Sequence, residues 1–297
     1  MSLATRPAAP AASAAPGTDA LASPRANHGG PDSPFERIIA RLEEGLTAAL
    51  IASPLQHRRD DEDAIAVRTW MDERGFSQVL VDDGPAPGSG HRFVTRKQLE
   101  QAAPRHTLSA LAEPVPAEAL VSHDTSIRRL LPMLARRSYY FTLRHDRIDG
   151  IVELSDIDKP PTRLFLFAHI AELESRMSAL IERHHPDDSW LELISPSRRS
   201  KINDLFHRKR SRDFQTTRLN CTQLCDKRDV MLDSPTLCGR LIGRSKSQWN
   251  DRFMAIQNLR DNIAHAEYLL PDRTDVSTLL DIVATLDDLI ERFAGQG

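Results

Sequence analysis

The sequence predicts an α+β protein with an unstructured N-terminal arm, a tandem pair of α/β repeats and an all-helical C-terminal part. Three observations carry that expectation: an Ala/Pro-rich start, a weak internal repeat of helix, strand, turn and strand, and unbroken helical periodicity after a Pro-Pro step. The chain has 297 residues, enough for two domains of ordinary size. Hydrophobic residues make up 40% and charged residues 27%, as in soluble globular proteins. The formal net charge of -3 gives no global basic bias toward nucleic acid. No apolar run approaches the roughly 20 residues of a membrane helix, and the N-terminus has no hydrophobic h-region. Three cysteines, an odd number, do not make a disulfide framework, so the expected compartment is the cytoplasm.

Residues 1–34 hold ten Ala and six Pro and have no apolar face to bury, so the expectation there is a disordered arm. Structure is expected from Phe35. The segment FERIIARLEEGLTAALI places Ile38, Ile39, Leu42, Leu46 and Leu50 on one helical stripe. The first repeat then reads AIAVRTWMDERGFSQVLVDD, a Pro/Gly loop, and HRFVTRKQL. The second reads SIRRLLPMLARRSYYFTLRHDRIDGIVELSDI. Met71 lies eight residues before Val79, and Met133 eight before Phe141. One such unit cannot cover both faces of its small sheet, whereas two packed together can.

After Pro160-Pro161, residues Leu166, Ile170, Leu173, Met177 and Leu180 follow a 3.6 period and predict a long helix. Loops are expected near Pro186, Pro196, residues 233–235 and Pro271. SQWNDRFMAIQNLRDNIAHAEYLL reads as one helix. DVSTLLDIVATLDDLIERF reads as the last, with Leu279, Ile282, Val283, Leu286, Leu289 and Ile290 inward. The expected organisation is therefore arm 1–34, repeat pair 35–182 and helical part 183–297.

The repeats resemble a tandem pair of CBS domains over about residues 36–182. That family's signature is a strand ending in G-h-h-T-x-x-D, with h apolar. The second copy has GIVELSD, residues 150–156, and the first has RFVTRKQ, residues 92–98. The resemblance implies an adenosine nucleotide as regulatory ligand, with Thr95, Ser155 and Asp156 contacting ribose and phosphate and Arg92 and Arg96 nearby. Two positions depart from the signature. Gln98 stands at the acidic position of the first copy and Glu153 at the Thr position of the second, where a carboxylate would repel phosphate. A pair without a ligand would serve as a scaffold or dimerisation module.

Within LRDNIAHAEYLLP, Arg260 and His265 are about 140° apart on a regular helix, while Asp261 and His265 share a face. Asp261 could then orient the imidazole. The segment resembles the R-x4-6-H motif of HEPN domains, the resemblance covering about residues 187–297. It implies a metal-independent endoribonuclease, or an RNA-binding derivative of one. His265 would be general acid/base, Arg260 would stabilise the phosphorane, and the site would be shared across a homodimer that the helix of residues 166–180 helps form. The alternatives are an Arg260 paired to a carboxylate with His265 capping or packing inside the bundle, and a non-catalytic nucleotide-sensing or dimerisation module that binds a protein partner. RRSKINDLFHRKRSR, residues 198–212, has seven Lys or Arg against one Asp. It makes RNA a candidate partner, held by Arg208, Lys209 and Arg210, and otherwise reads as a solvated helix face. Cys221, Cys225 and Cys238 read as reduced thiols, with His207 the only near fourth ligand for a zinc site, so no metal is expected. GRLIGRSKS, residues 239–247, lacks the phosphate-loop signature, and His184-His185 marks a helix C-terminus.

Overall fold

The structure is a computed structural model that describes residues 34–82, 91–212, 214–269 and 276–294. The arm expected over residues 1–34, save Pro34, the Pro/Gly loop of the first repeat and the loop near Pro271 lie outside the described residues.

The expected first helix is two pieces. Helix α1 (Pro34–Gly45) stops at Gly45 and α2 (Ala48–Ile51) follows. The stripe splits accordingly: Ile39 and Leu46 are buried, but Ile38 and Leu50 are 55% and 52% exposed. Strand β1 (Ser53–Pro54) comes next, then β2 (His57–Arg59), α3 (Ala64–Arg74), β3 (Gln78–Asp82), β4 (Arg92–Thr95), α4 (Arg96–Glu100), α5 (Leu108–Leu111) and β5 (Glu113–Pro114). Asp63 caps α3 by accepting the Ala66 N–H at 2.9 Å, and Gly75 ends it in the left-handed region at φ 69°. The second repeat has β6 (Leu120–Ser122), α6 (Ile127–Leu134), β7 (Tyr139–Arg144) and β8 (Arg147–Glu153).

The strands form two four-stranded sheets ordered β2-β3-β4-β5 and β1-β8-β7-β6. In each, a parallel pair is joined through a helix: β2 to β3 with His57 opposite Leu80, and β6 to β7 with Leu120 opposite Phe141. Antiparallel hairpins β3–β4 and β7–β8 follow. Each fourth strand is short and comes from the segment that precedes the other repeat: β1 pairs with β8, and β5 with β4. Both are proline-containing edge strands, the position where a missing N–H is tolerated. β1 also explains Gly150, where a Cβ would lie 2.8 Å from Thr142 Oγ1 and 3.1 Å from Ser53 O.

Side chains alternate along each strand, so Leu80 and Val79 face opposite layers. Leu80 and Phe93 of the first sheet pack against Phe141, Ile148 and Ile151 of the second, with Phe93 and Phe141 edge to face at 5.4 Å between ring centres. Val79, Val81 and Val94 turn outward onto α3, α4 and α5. Tyr140 and Val152 turn onto α6 and onto α7 (Pro160–His184), a helix of 25 residues.

Helix α7 leads into α8 (Pro196–Arg210), α9 (Leu224–Asp233), α10 (Pro235–Cys238), α11 (Lys246–Ala264) and α12 (Ser277–Ala294). One core runs unbroken from Leu130 and Val152 of the second repeat through Phe165 and Met177 to Trp249, Phe253 and Leu286. The five apolar positions expected on α7 are all buried in that core, while Leu164 and Phe167 of the same helix are 46% and 49% exposed. On α12, Leu279, Val283, Leu286 and Leu289 are buried as expected, and Ile282 and Ile290 are half-buried. No helix among the described residues is long and apolar enough to cross a membrane.

Candidate functional site

The two strand ends that carry the signature residues are built alike. Thr95 is the N-cap of α4, and its hydroxyl accepts the Gln98 N–H at 3.2 Å while Gln98 Oε1 accepts the Thr95 N–H at 2.7 Å. Glu153 and Asp156 form the same reciprocal cap on the 3-10 turn after β8, Asp156 accepting the Glu153 N–H at 2.7 Å. In the first copy the departure completes a capping box, which takes Glu or Gln at N3, whereas in the second the long acid stands at the N-cap and the short Asp156 at N3. Asp156 is buried and also accepts from Ser53 Oγ at 3.2 Å and Lys159 Nζ at 2.8 Å. Lys159 in turn donates to Ser53 Oγ at 2.9 Å and to the Ile51 carbonyl. Its ammonium thus occupies the Asp156 carboxylate. Ser155 is exposed beside it. Glu153 hydrogen-bonds Ser77 of the first repeat; its burial, and then the charge of Asp156, hold its carboxyl above the usual carboxylate range. Arg92 reaches the Ser109 and Ala112 carbonyls at 2.9 and 2.6 Å.

Arg260, Asp261 and His265 are not assembled into one group. Helix α11 ends at Ala264, and His265 caps it as an exposed residue followed by Ala266 in the left-handed region at φ 56°. The helix expected to continue to residue 270 stops at Ala264: after left-handed Ala266 the Glu267 N–H closes on Asn262 O at 2.9 Å, and Arg163 of α7 donates to Asn262 O at 3.3 Å and, beyond the helix end, to Glu267 O at 2.6 Å. The expected Asp261–His265 hydrogen bond is not made. Asp261 accepts instead from Arg260 Nη1 at 3.1 Å. Arg260 Nε lies 3.7 Å from Glu174, which also holds the buried Lys227 at 3.1 Å.

The basic run divides. Arg198 grips the buried Asp226 with two hydrogen bonds of 2.8 and 2.6 Å, and Arg199 pairs with Glu192 at 2.8 Å. Arg208, Lys209, Arg210 and Arg212 at the far end form no ion pair among the described residues. Next to them lies a cavity of about 280 Å³ between the end of α7 and the segment after α8.

Solved structures to which the chain is similar are CBS domain proteins. One is the CBS domain of the bacterial CNNM/CorC family Mg2+ transporter, at 17% identity over 42% of this chain and 82% of that one, with a TM-score of 0.31. The same domain in complex with ATP matches at 18% identity over 41% and 91%, TM-score 0.32. The hexameric CBS-CP12 protein from bloom-forming cyanobacteria matches at 14% identity over 48% and 90%, TM-score 0.34. No family model matches the chain, and no curated protein does.

Several placements escape a reading of the sequence. Buried His169 on α7 sets Nε2 at 2.7 Å from Glu43 of α1 and Nδ1 at 3.1 Å from Phe165 O, with Arg128 of α6 at 2.9 Å. Arg128 also reaches Asp287 of α12 at 2.9 Å, so four helices meet in one charged cluster. A lone His on an otherwise apolar stripe is its only local signal. Cys221 is buried, Cys225 half-buried and Cys238 exposed, all as free thiols; burial raises the Cys225 thiol above its usual range. Among the described residues no group of three or more His, Cys, Asp or Glu could hold a metal.

Proposed function

We propose that the chain is a regulatory, RNA-binding module that does not cleave: a CBS-like repeat pair acting as sensor, joined rigidly through α7 to a helical domain acting as output. The single observation that carries the RNA reading is the uncompensated end of α8. Arg198 and Arg199 have carboxylate partners, while Arg208, Lys209, Arg210 and Arg212 have none among the described residues. Some cation at a helix C-terminus complements the dipole, but four exceed that need and suit a row of phosphates. Binding rather than cleavage is supported by Arg260, which Glu174 and Asp261 hold, and by the exposed His265 beyond the helix end. The input ligand in this reading is an adenosine nucleotide, the class of ligand in the ATP complex of the transporter domain. Access to Asp156 requires Lys159 to move, which would shift Ser53 and the start of α7 together. The working assembly is a homodimer formed through surfaces other than the buried stripe of α7.

The test is fluorescence anisotropy with a short single-stranded RNA across a salt series. Replacing Arg208, Lys209 and Arg210 by Gln should weaken binding and flatten the log-log salt slope by about 0.7 per lost phosphate contact. An unchanged slope returns these residues to a solvated surface. In parallel, AMP or ATP should raise the melting temperature of the protein, since a ligand bound only by the folded state stabilises it. Identical melting curves with and without nucleotide would leave a scaffold.

A further inference from the structure

Resting on the RNA-binding reading, we infer that the cavity beside the end of α8 receives one base of a single-stranded polynucleotide whose phosphates follow Arg208, Lys209, Arg210 and Arg212. The cavity is lined by His185, Trp190, Phe206, Thr216, Thr217 and Arg218. Its volume of about 280 Å³ sits just below the roughly 300–1,000 Å³ of drug-sized ligand sites, the scale of one flat heterocycle with part of its sugar.

Arg218 is set in place before any ligand arrives. Its guanidinium lies 4.6 Å from the centre of the Phe206 ring. Nε donates to Asn203 Oδ1 and Nη1 to Asp188 Oδ2, both at 2.9 Å, while Nη2 makes no hydrogen bond among the described residues. A planar, oriented guanidinium with one free edge is suited to stack on a base or donate to it, and little entropy remains to be lost on binding. Asp188 brings a carboxylate to the cavity, but Arg218 neutralises it and Trp190 Nε1 donates to its other oxygen at 3.3 Å. Glu182 is exposed at the rim.

Phe206 joins the cavity to the cations. It is on α8, one turn before Arg210, whose guanidinium lies 6.0 Å from the same ring. Beyond the helix end Phe214 is 60% exposed, and its backbone N–H is tied to the Lys209 carbonyl at 3.2 Å. Aromatic faces interleaved with unpaired cations are the means by which proteins hold single strands, because every base has a π-face and every nucleotide a phosphate. A duplex hides those faces. An acidic peptide would engage the cations, but it carries a flat ring only where an aromatic residue happens to fall, whereas a polynucleotide carries one at every phosphate.

The experiment measures anisotropy of the full chain with single-stranded RNA and with a duplex of the same length. Phe206→Leu and Arg218→Lys are compared with the triple Gln variant of Arg208, Lys209 and Arg210. The two cavity variants keep the charge, so each should weaken single-strand binding about tenfold, the lower range of base–aromatic stacking, without changing the salt slope or duplex binding. The triple variant should weaken both and flatten both slopes. Photo-crosslinking of 4-thiouridine RNA to the unaltered protein should label the peptide containing residues 205–218, which keeps the test independent of how the variants fold. Equal binding of single strand and duplex, with cavity variants like wild type and crosslinks elsewhere, overturns the cavity inference while a weakened triple variant leaves RNA binding standing. No RNA binding by the unaltered protein, or binding only of polyglutamate, overturns both.

Discussion

Asp156 makes three hydrogen bonds to its own chain, to Glu153 N, Ser53 Oγ and Lys159 Nζ. It caps a turn, ties β1 to the end of β8 and neutralises a lysine at once. Asp156→Ala should therefore destabilise the protein by roughly 2–4 kcal/mol even without ligand, from a lost cap and unpaired buried groups. Urea unfolding measures this, and a change under 1 kcal/mol would contradict the structural role. Asp156→Asn, which keeps an acceptor for the Glu153 N–H, should cost less. The same scale decides the ribonuclease expectation. With Arg260 engaged by Glu174 and Asp261, incubation of the purified protein with single-stranded RNA in EDTA should leave the RNA intact. Fragments ending in 2',3'-cyclic phosphate that vanish in His265→Ala would show that the motif works as its resemblance implies.

Elements were legible where a local signal suffices. Helix α12 follows its stripe because a single apolar face meets a single core. Strands β3 and β7 stand where the repeated Met-to-strand spacing puts them, and β4 and β8 where each repeat's second strand is expected. The end of α11 is only partly local: Glu267 N–H closes on Asn262 O, while Arg163 and Asp158, about a hundred residues earlier, hold Asn262 O, Glu267 O and the Leu269 N–H, and periodicity alone would carry the helix further. The exchange of edge strands is likewise tertiary. Its trace is the paired pattern T-x4-A-x-P in TAALIASP, residues 47–54, and TLSALAEP, residues 107–114, a match too short to stand out beside helical periodicity. Thr47 bridges Ser126 and Thr107 bridges Asp63, so each copy docks at a helix start of one repeat. Since β1 crosses Gly150 at close range, Gly150→Ala should cost about 1–3 kcal/mol by overpacking against Thr142 and Ser53. An unchanged urea midpoint would mean that β1 shifts freely.

At the scale of the whole molecule, the boundary between repeat pair and helical part is not a linker. Helix α7 contributes Phe165 and Leu166 to the side nearest the repeats and Met177 and Leu180 to the bundle, within one core. Beside it the cluster of Glu43, Arg128, His169 and Asp287 ties α1, α6, α7 and α12 by ion pairs. The two parts are thus joined by packed, charged contacts rather than by a hinge. The cluster gives these contacts a pH signature. The hydrogen bond from His169 outweighs burial and, with the charges of His169 and Arg128, holds the Glu43 carboxyl below its ordinary value of 4.5. A carboxyl depressed in the folded state contributes stability that is complete above its unfolded pKa and is lost as pH falls through the folded one. Glu43→Gln should therefore be less stable than wild type at neutral pH, and the two denaturation midpoints should converge as pH drops below about 4.5. Curves that stay parallel down to the acid limit would mean that Glu43 gains nothing from His169 and that α1 is held to α7 by the apolar core alone.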